Sequence, residues 1–291
     1  MNFSTIKAPF IFVALVVLFL CSCTSDSTKK NNLAPQKTSG KLFIIGGGDR
    51  TPELMRSMIQ QAGLKANDYI AVLPMAGEEP DSSFWYFQQD VPSSITCVNL
   101  NFSDVNRNVQ SMTDSLKKAK LIFICGGDQN RFMQVVEDRK IAPWIIDVYN
   151  NGGVIAGTSA GAAVMSDVMI TGNQSKDTAY SATYALVESH NAIYSKGLGF
   201  IQNGIVDQHF VTRSRYNRLI SALVDHPKLS YGLGVEEETA ALIENDQCTV
   251  IGKGPIILMT PKKKIKLKKE TIDEAFFEMG IFGTGQRFRL P

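Results

Sequence analysis

Histidine is scarce in this chain of 291 residues, with three in all, and tryptophan occurs twice. No H-E-x-x-H segment is present, and the Asp207-x-His209 pair has no second histidine at ligand spacing. The usual zinc arrangements therefore lack their ligands, and no metal or other cofactor is expected. An excess of one charge is missing too: 30 Lys and Arg against 28 Asp and Glu leave a formal +2. With no basic face interleaved with aromatics beside it, that balance removes the argument for a nucleic-acid partner. Cysteine numbers only five, and Cys97, Cys125 and Cys248 are scattered through apolar segments that read as strands. They are expected as buried small hydrophobes, not as a disulfide framework. A long hydrophobic run is lacking as well, since the stretch from Pro9 to Leu20 is too short for a comfortable membrane span.

What that stretch does resemble is a secretory signal peptide. Lys7 precedes it, and Leu20-Cys21-Ser22-Cys23 follows with a small residue before the cut. The Leu-x-Ser-Cys ending is similar to a bacterial lipobox, which implies cleavage before Cys23, lipidation of its thiol and tethering of the mature chain to a membrane. Cys21 fits less well because bulky Leu20 would precede it, and an uncleaved signal anchor is the competing reading. The residues up to Gly40 are polar, without hydrophobic period, and read as a flexible tether. The expected organisation is a signal peptide over 1–22, a tether over 23–40 and a single α/β domain over 41–291. The expected location is outside the cytoplasm, lipid-anchored to a bacterial membrane in the periplasm or at the cell surface.

Within the body the pattern alternates between strand and helix, the mark of a mainly parallel sheet covered on both faces. Strands are expected over 41–45, 69–75, 94–100, 120–125 and 153–157, with a helix over 52–62 and another starting at once over 159–166. Further strands are expected near 204–207, 240–243, 248–251 and 256–259, with a helix over 214–224. No internal repeat interrupts this body. The run Lys262, Lys263, Lys264, Lys266, Lys268 and Lys269 alternates with Ile265 and Leu267, which suits a solvated edge strand better than a patch for anionic lipid or an acidic polymer. Trp85, Tyr86 and Phe87 read as core in preference to a lid. Gly46-Gly47-Gly48 lacks the third glycine spacing of a dinucleotide loop and reads as a strand-end turn.

Open sheets of this kind place chemistry at the carboxyl ends of their strands. There, Gly157-Thr158-Ser159-Ala160-Gly161 follows the apolar Val154-Ile155-Ala156. A G-x-S-x-G segment between strand and helix is a nucleophile elbow that projects the serine hydroxyl from the sheet edge. The helix start behind it offers backbone N–H groups to an oxyanion, Ala160 first. A glycine-rich turn whose serine caps the helix is the alternative. A serine nucleophile needs a base. His190 lies in a polar loop-like segment and His226 at a helix end, where the dipole accounts for it. His209 follows a strand and precedes Arg213, Arg215 and Arg218. Glu236, Glu237 and Glu238 stand before an apolar strand. If they alternate, Glu237 faces away from its neighbours, so that one of the three can reach the site.

Gly126-Gly127-Asp128-Gln129, the serine elbow, Asp207-Gln208-His209-Phe210 with its arginines, and the segment from Gly234 to Ala240 together resemble the cyanophycinases. These are serine peptidases of the family that also holds aspartyl dipeptidase, with a class I glutamine amidotransferase-like fold of flavodoxin-like layers. The resemblance covers residues 41–259, with the motifs in the expected order. It implies Ser159 as nucleophile, His209 as base and Glu237 as acidic partner, with the backbone of Gly127 and Ala160 receiving the oxyanion. It also implies Gln129, Asp207, Gln208, Arg213, Arg215 and Arg218 around the substrate. The arginines lie four, six and nine residues after His209, as in the cyanophycinases. The acidic segment departs from the family, reading Val-Glu-Glu-Glu in place of Ile-Asp-Glu-Asp.

The implied substrate is a peptide or polymer rich in Asp and Arg: cyanophycin, a polyaspartate with arginine on each β-carboxyl, released as β-Asp-Arg dipeptides. An aspartyl dipeptidase acting on short peptides is the rival within the enzymes, and a binding lipoprotein on an inactive scaffold the rival outside them. A homodimer stays open.

Overall fold

The computed structural model describes residue 1 and residues 40–176, 181–263, 265–268 and 271–291. Lys37–Pro291 forms one compact unit. Cys21, Cys23 and the signal and tether segments, like Lys264 and Lys269, lie outside the described residues. No described helix is long and apolar enough to cross a membrane.

The first half alternates: β1 (Lys41–Ile45), α1 (Pro52–Ala62), β2 (Tyr69–Leu73), α2 (Pro80–Gln89), β3 (Thr96–Asn99), α3 (Val109–Lys118) and β4 (Leu121–Ile124). It continues through α4 (Gln129–Asp138), α5 (Ala142–Asn150), β5 (Val154–Thr158) and a single turn, α6 (Ala160–Ala163). Local chemistry sets the helix starts. Thr51 Oγ1 accepts from Leu54 N–H ahead of Pro52, and the Asp128 and Asn108 side chains cap α4 and α3 in the same way.

The second half adds β6 (Val168–Gln174), β7 (Ala192–Lys196), β8 (Gly204–Gln208), α7 (Tyr216–Asp225), β9 (Tyr231–Val235), β10 (Thr239–Glu244) and β11 (Gln247–Gly252). It ends with β12 (Ile256–Pro261), β13 (Lys266–Lys268), β14 (Thr271–Glu274), β15 (Phe277–Phe282) and β16 (Arg287–Arg289).

The central sheet has the order β16-β11-β10-β1-β5-β4-β2-β3. Its strands from β1 to β3 run parallel, and β10, β11 and β16 are added antiparallel. Both faces are covered: Leu42 and Ile44 of β1 enter one apolar cluster, Phe43 and Ile45 the other. The expected α/β class with a mainly parallel sheet is what the chain adopts. A second sheet, β15-β12-β9-β8, was not foreseen. It takes the strands expected near 204 and 256, and packs Ile205 and Ile257 with Leu219 and Leu223 of α7 in a third cluster.

Several expectations need correction. The helix expected over 159–166 stops after one turn because later chain claims its carbonyls: Leu198 and Ile201 N–H donate to Val164 O and Met165 O. Ser166 Oγ likewise accepts from Val206 N–H at 2.9 Å. Of the aromatic triplet only Phe87 is core, while Trp85 and Tyr86 are exposed. The solvated edge strand expected of the lysine run is present as β13, exposed throughout and paired with β14 in a two-stranded sheet. Lys262 and Lys266 pair with Glu278 and Glu274.

Candidate active site

β5 is buried throughout and delivers the chain to Ser159, held at φ 53° and ψ −107°. That backbone is strained for an L-residue and persists only where the surroundings over-determine it. Here Ser159 N–H donates to Ile45 O at 3.1 Å, and its carbonyl accepts from Ala162 and Ala163 N–H. The turn also needs a bare Gly157, where a Cβ would come within 2.4 Å of Gly161 O. The hydroxyl therefore projects at the carboxyl edge of β1 and β5, with the buried Ala160 at the start of α6 behind it.

β8 delivers His209 to the same edge. Its N–H donates to Gly46 O at 2.7 Å, and its Nε2 lies 2.8 Å from Ser159 Oγ. On the far side of the ring, Nδ1 lies 2.5 Å from Glu237 Oε1. Both partners rest on the turn after β1: a Cβ on Gly47 would meet His209 Cε1 at 2.1 Å, and one on Gly48 would meet Glu237 Cβ at 2.8 Å. The strand-end turn read from Gly46-Gly47-Gly48 is thus the seat of imidazole and carboxylate. Three glycines at the end of a buried strand, just where neighbours must close in, were the available signal.

The three glutamates do not alternate, because they lie in the turn between β9 and β10. Glu236 also points inward, buried, where its carboxylate accepts from Val211 N–H at 2.5 Å and from Thr212 N–H and Oγ1. It clamps the turn that follows His209, a role sequence reasoning missed. Glu238 pairs with Lys253 at 2.5 Å.

Burial pulls the His209 pKa below the ordinary histidine value. The Glu237 hydrogen bond opposes that shift, and the charges of Arg213 and Arg215 reinforce it. A neutral ring with its proton on Nδ1, donated to Glu237, leaves Nε2 as an acceptor facing the hydroxyl. His190 is exposed, as expected. His226 ends α7, but burial lowers its pKa and it packs edge-on to Tyr194 at 4.4 Å.

A cavity of about 270 Å³ adjoins Ser159 and is lined by Gly127, Gln129, Gln208, Arg213, Arg215 and Arg218 among others. Arg215 and Arg218 are buried, not a solvated helix face. Arg215 donates to Gln208 O at 2.7 Å and to Gln208 Oε1. Arg218 forms a two-point pair with Asp207, whose side chain is fully buried. Asp207 does not line the cavity; it stands behind the wall and holds Arg218 in it. Gln129 donates to Ile170 O and Thr171 O, fixing β6 as the opposite wall. The three described cysteines, Cys97, Cys125 and Cys248, are free thiols, and Cys125 beside the glycine turn is pushed up to about 12 by burial, so it stays protonated.

Hydroxyl, imidazole and carboxylate in series at the edge of a parallel sheet define a hydrolase of the serine type. Similarity to known proteins narrows that class. The profile of Peptidase family S51 matches residues 42–251. A cyanophycinase from Trichormus variabilis is 33% identical over 88% of this chain and 87% of its own. A peptidase E from Haemophilus influenzae is 27% identical over 65% of this chain and 76% of its own. The crystal structure of a peptidase from an acI-B1 Actinobacterium shares the fold, with a TM-score of 0.59 at 20% identity over 87% of this chain and 98% of that one. The chain belongs to peptidase family S51 and is a serine-type peptidase.

Proposed function

We propose that this peptidase is an exported, lipid-anchored exopeptidase of the cyanophycinase type, cutting a polyaspartate that carries arginine side groups into β-Asp-Arg dipeptides. The observation that carries the reading is the adjacency of the Ser159 hydroxyl, 2.8 Å from His209 Nε2, to a cavity walled by three guanidinium groups. Guanidinium groups hold a fixed positive charge at the cavity wall, and this substrate presents a carboxylate on every arginine. Similarity to the Trichormus variabilis cyanophycinase, 33% identical over 88% of this chain, supports the same choice.

In the proposed chemistry His209 takes the Ser159 proton as Oγ attacks the aspartyl carbonyl, forming an acyl-enzyme. The imidazolium then protonates the leaving amine, and the neutral ring activates water for deacylation. Glu237 holds the tautomer. Backbone N–H groups of Gly127 and Ala160 receive the oxyanion, a contribution of about 3 kcal/mol per donor in comparable sites. Gln129 and Gln208 shape the substrate cavity with Arg213, Arg215 and Arg218. Export and the anchor at Cys23 rest on the sequence pattern alone, and they place the enzyme where polymer released by other cells is the accessible source.

Mass spectrometry of products from purified cyanophycin tests the assignment. β-Asp-Arg dipeptides are expected; cleavage of α-Asp dipeptides with no attack on the polymer would replace it with an aspartyl dipeptidase. A fluorophosphonate that labels wild type but not Ser159→Ala is the companion result, and a folded enzyme that never labels would point to a binding lipoprotein.

A further inference from the structure

Ser159 is the single residue shared by two hollows. The second, of about 420 Å³, is lined by Gly47, Arg50, Ser83, Tyr86, Cys125 and His209 among others. A peptide bond under attack lies with its acyl part on one side of the nucleophile and its amine part on the other, so a peptidase needs room for both. The arginine cavity is the smaller, at about 270 Å³, and two of its guanidinium groups are buried. The second hollow has Tyr86 on its wall, 62% exposed, with Trp85 edge-on to it at 5.0 Å and itself 54% exposed. A short released unit suits the smaller space, whereas the rest of a chain needs a route to solvent.

Charge distinguishes the second hollow as well. No carboxylate lines it, and its thiol, Cys125, is kept protonated by burial. Arg50 is its one permanent cation. The Asp90 partner of Arg50 is not on the wall, and it engages Nε and one terminal nitrogen through a single oxygen, each at 2.6 Å. A guanidinium carries five N–H donors in a planar fork, so one such partner does not exhaust it.

We propose that this hollow is the subsite for the amine-side part of the substrate, and that Arg50 reads a carboxylate on it. The proposal rests on the serine-peptidase reading of Ser159. The carboxylate belongs either to the backbone end of the leaving unit or to its side group.

The test uses the full chain and a dimer of β-Asp-Arg units, intact or with one carboxylate of the leaving unit converted to a carboxamide. Arg50→Gln raises KM on the intact peptide about tenfold, as expected for loss of a charged hydrogen bond. On the peptide lacking the carboxylate that is read it changes nothing, and which amide behaves so identifies the source. An equal loss on all three peptides, the signature of a merely structural Arg50–Asp90 pair, overturns the proposal, as does no loss on any. Arg50→Lys, which keeps the charge without the fork, serves if the glutamine variant does not fold, and the same selective KM rise is expected of it. If wild type neither labels with fluorophosphonate nor cuts the peptides, the serine-peptidase reading fails separately. Calorimetric titration of Ser159→Ala with the intact dimer of β-Asp-Arg units, long enough to reach both hollows, then reads the subsite, and affinity unchanged by Arg50→Gln overturns the proposal there too.

Discussion

Ser159 and His209 sit at φ 53° and 50°, where a Cβ is crowded and the cost is about 1–3 kcal/mol per residue. Hydrogen bonds to Ile45 O and Gly46 O hold the two backbones there. Ser159→Gly removes the hydroxyl and the crowding together, so hydrolysis falls to background while urea denaturation shows no loss of stability. The His209 pKa supplies a second outcome. Because burial lowers it, the acid limb of kcat/KM falls below pH 6.5, with activity lost as the ring gains its proton. The Arg213 charge is one cause of the lowering, so Arg213→Gln eases protonation and moves that limb to higher pH in a pH-rate profile. A variant whose limb stays in place would show that the arginine acts on substrate alone.

Among the elements, β8, α7 and the turn after β1 decide where the chemistry falls. Asp207 on β8 and Arg218 on α7 form a pair with side-chain exposures of 0% and 3%. Breaking such a pair strands a buried charge, so Asp207→Asn destabilises by about 3–5 kcal/mol in urea unfolding, and Asp207→Leu with Arg218→Met restores most of the loss. At the other turn, Gly47→Ala drives a methyl into the imidazole. A displacement on the order of 1 Å costs about a hundredfold in kcat/KM while the protein stays folded, which circular dichroism checks. α1 was legible to its bounds because a threonine cap, a proline at its first position and helical spacing agree. β9 was not, since glycines interrupt its apolar run and its pairing partners β8 and β12 lie far along the chain. β6 and β7 were missed for a similar reason: a polar stretch separates them, and their pairing register shifts between Ile170 and Gln174.

At the scale of the whole molecule, every residue of the site and its cavity falls within Lys37–Pro291, one compact unit. A chain beginning at Lys37 is therefore expected to fold and to hydrolyse polymer with unchanged kcat/KM. The proposed anchor at Cys23 predicts that Cys23→Ser in the full chain, made in a bacterial host, appears in the soluble fraction where wild type appears with the membrane, with the same rate. Fractionation followed by assay measures both, and a Cys23→Ser protein that stays with the membrane would remove the lipid anchor.

The strands β1 to β5 with α1, the serine elbow and the choice of His209 from three histidines were present in the sequence, because each rests on residues close along the chain or on composition. Strand periodicity, glycine spacing and a nucleophile's need of a base are local or compositional facts. Which glutamate meets the imidazole, which arginines are buried and where Asp207 points were decided only by tertiary structure. The hydroxyl and the ring meet across 50 positions, and the ring and its carboxylate across 28. Contacts of that range are set by the register of β1 against β5 in one sheet and of β8 against β9 in the other, and by the His209 N–H to Gly46 O bond between them, which no short stretch of sequence encodes.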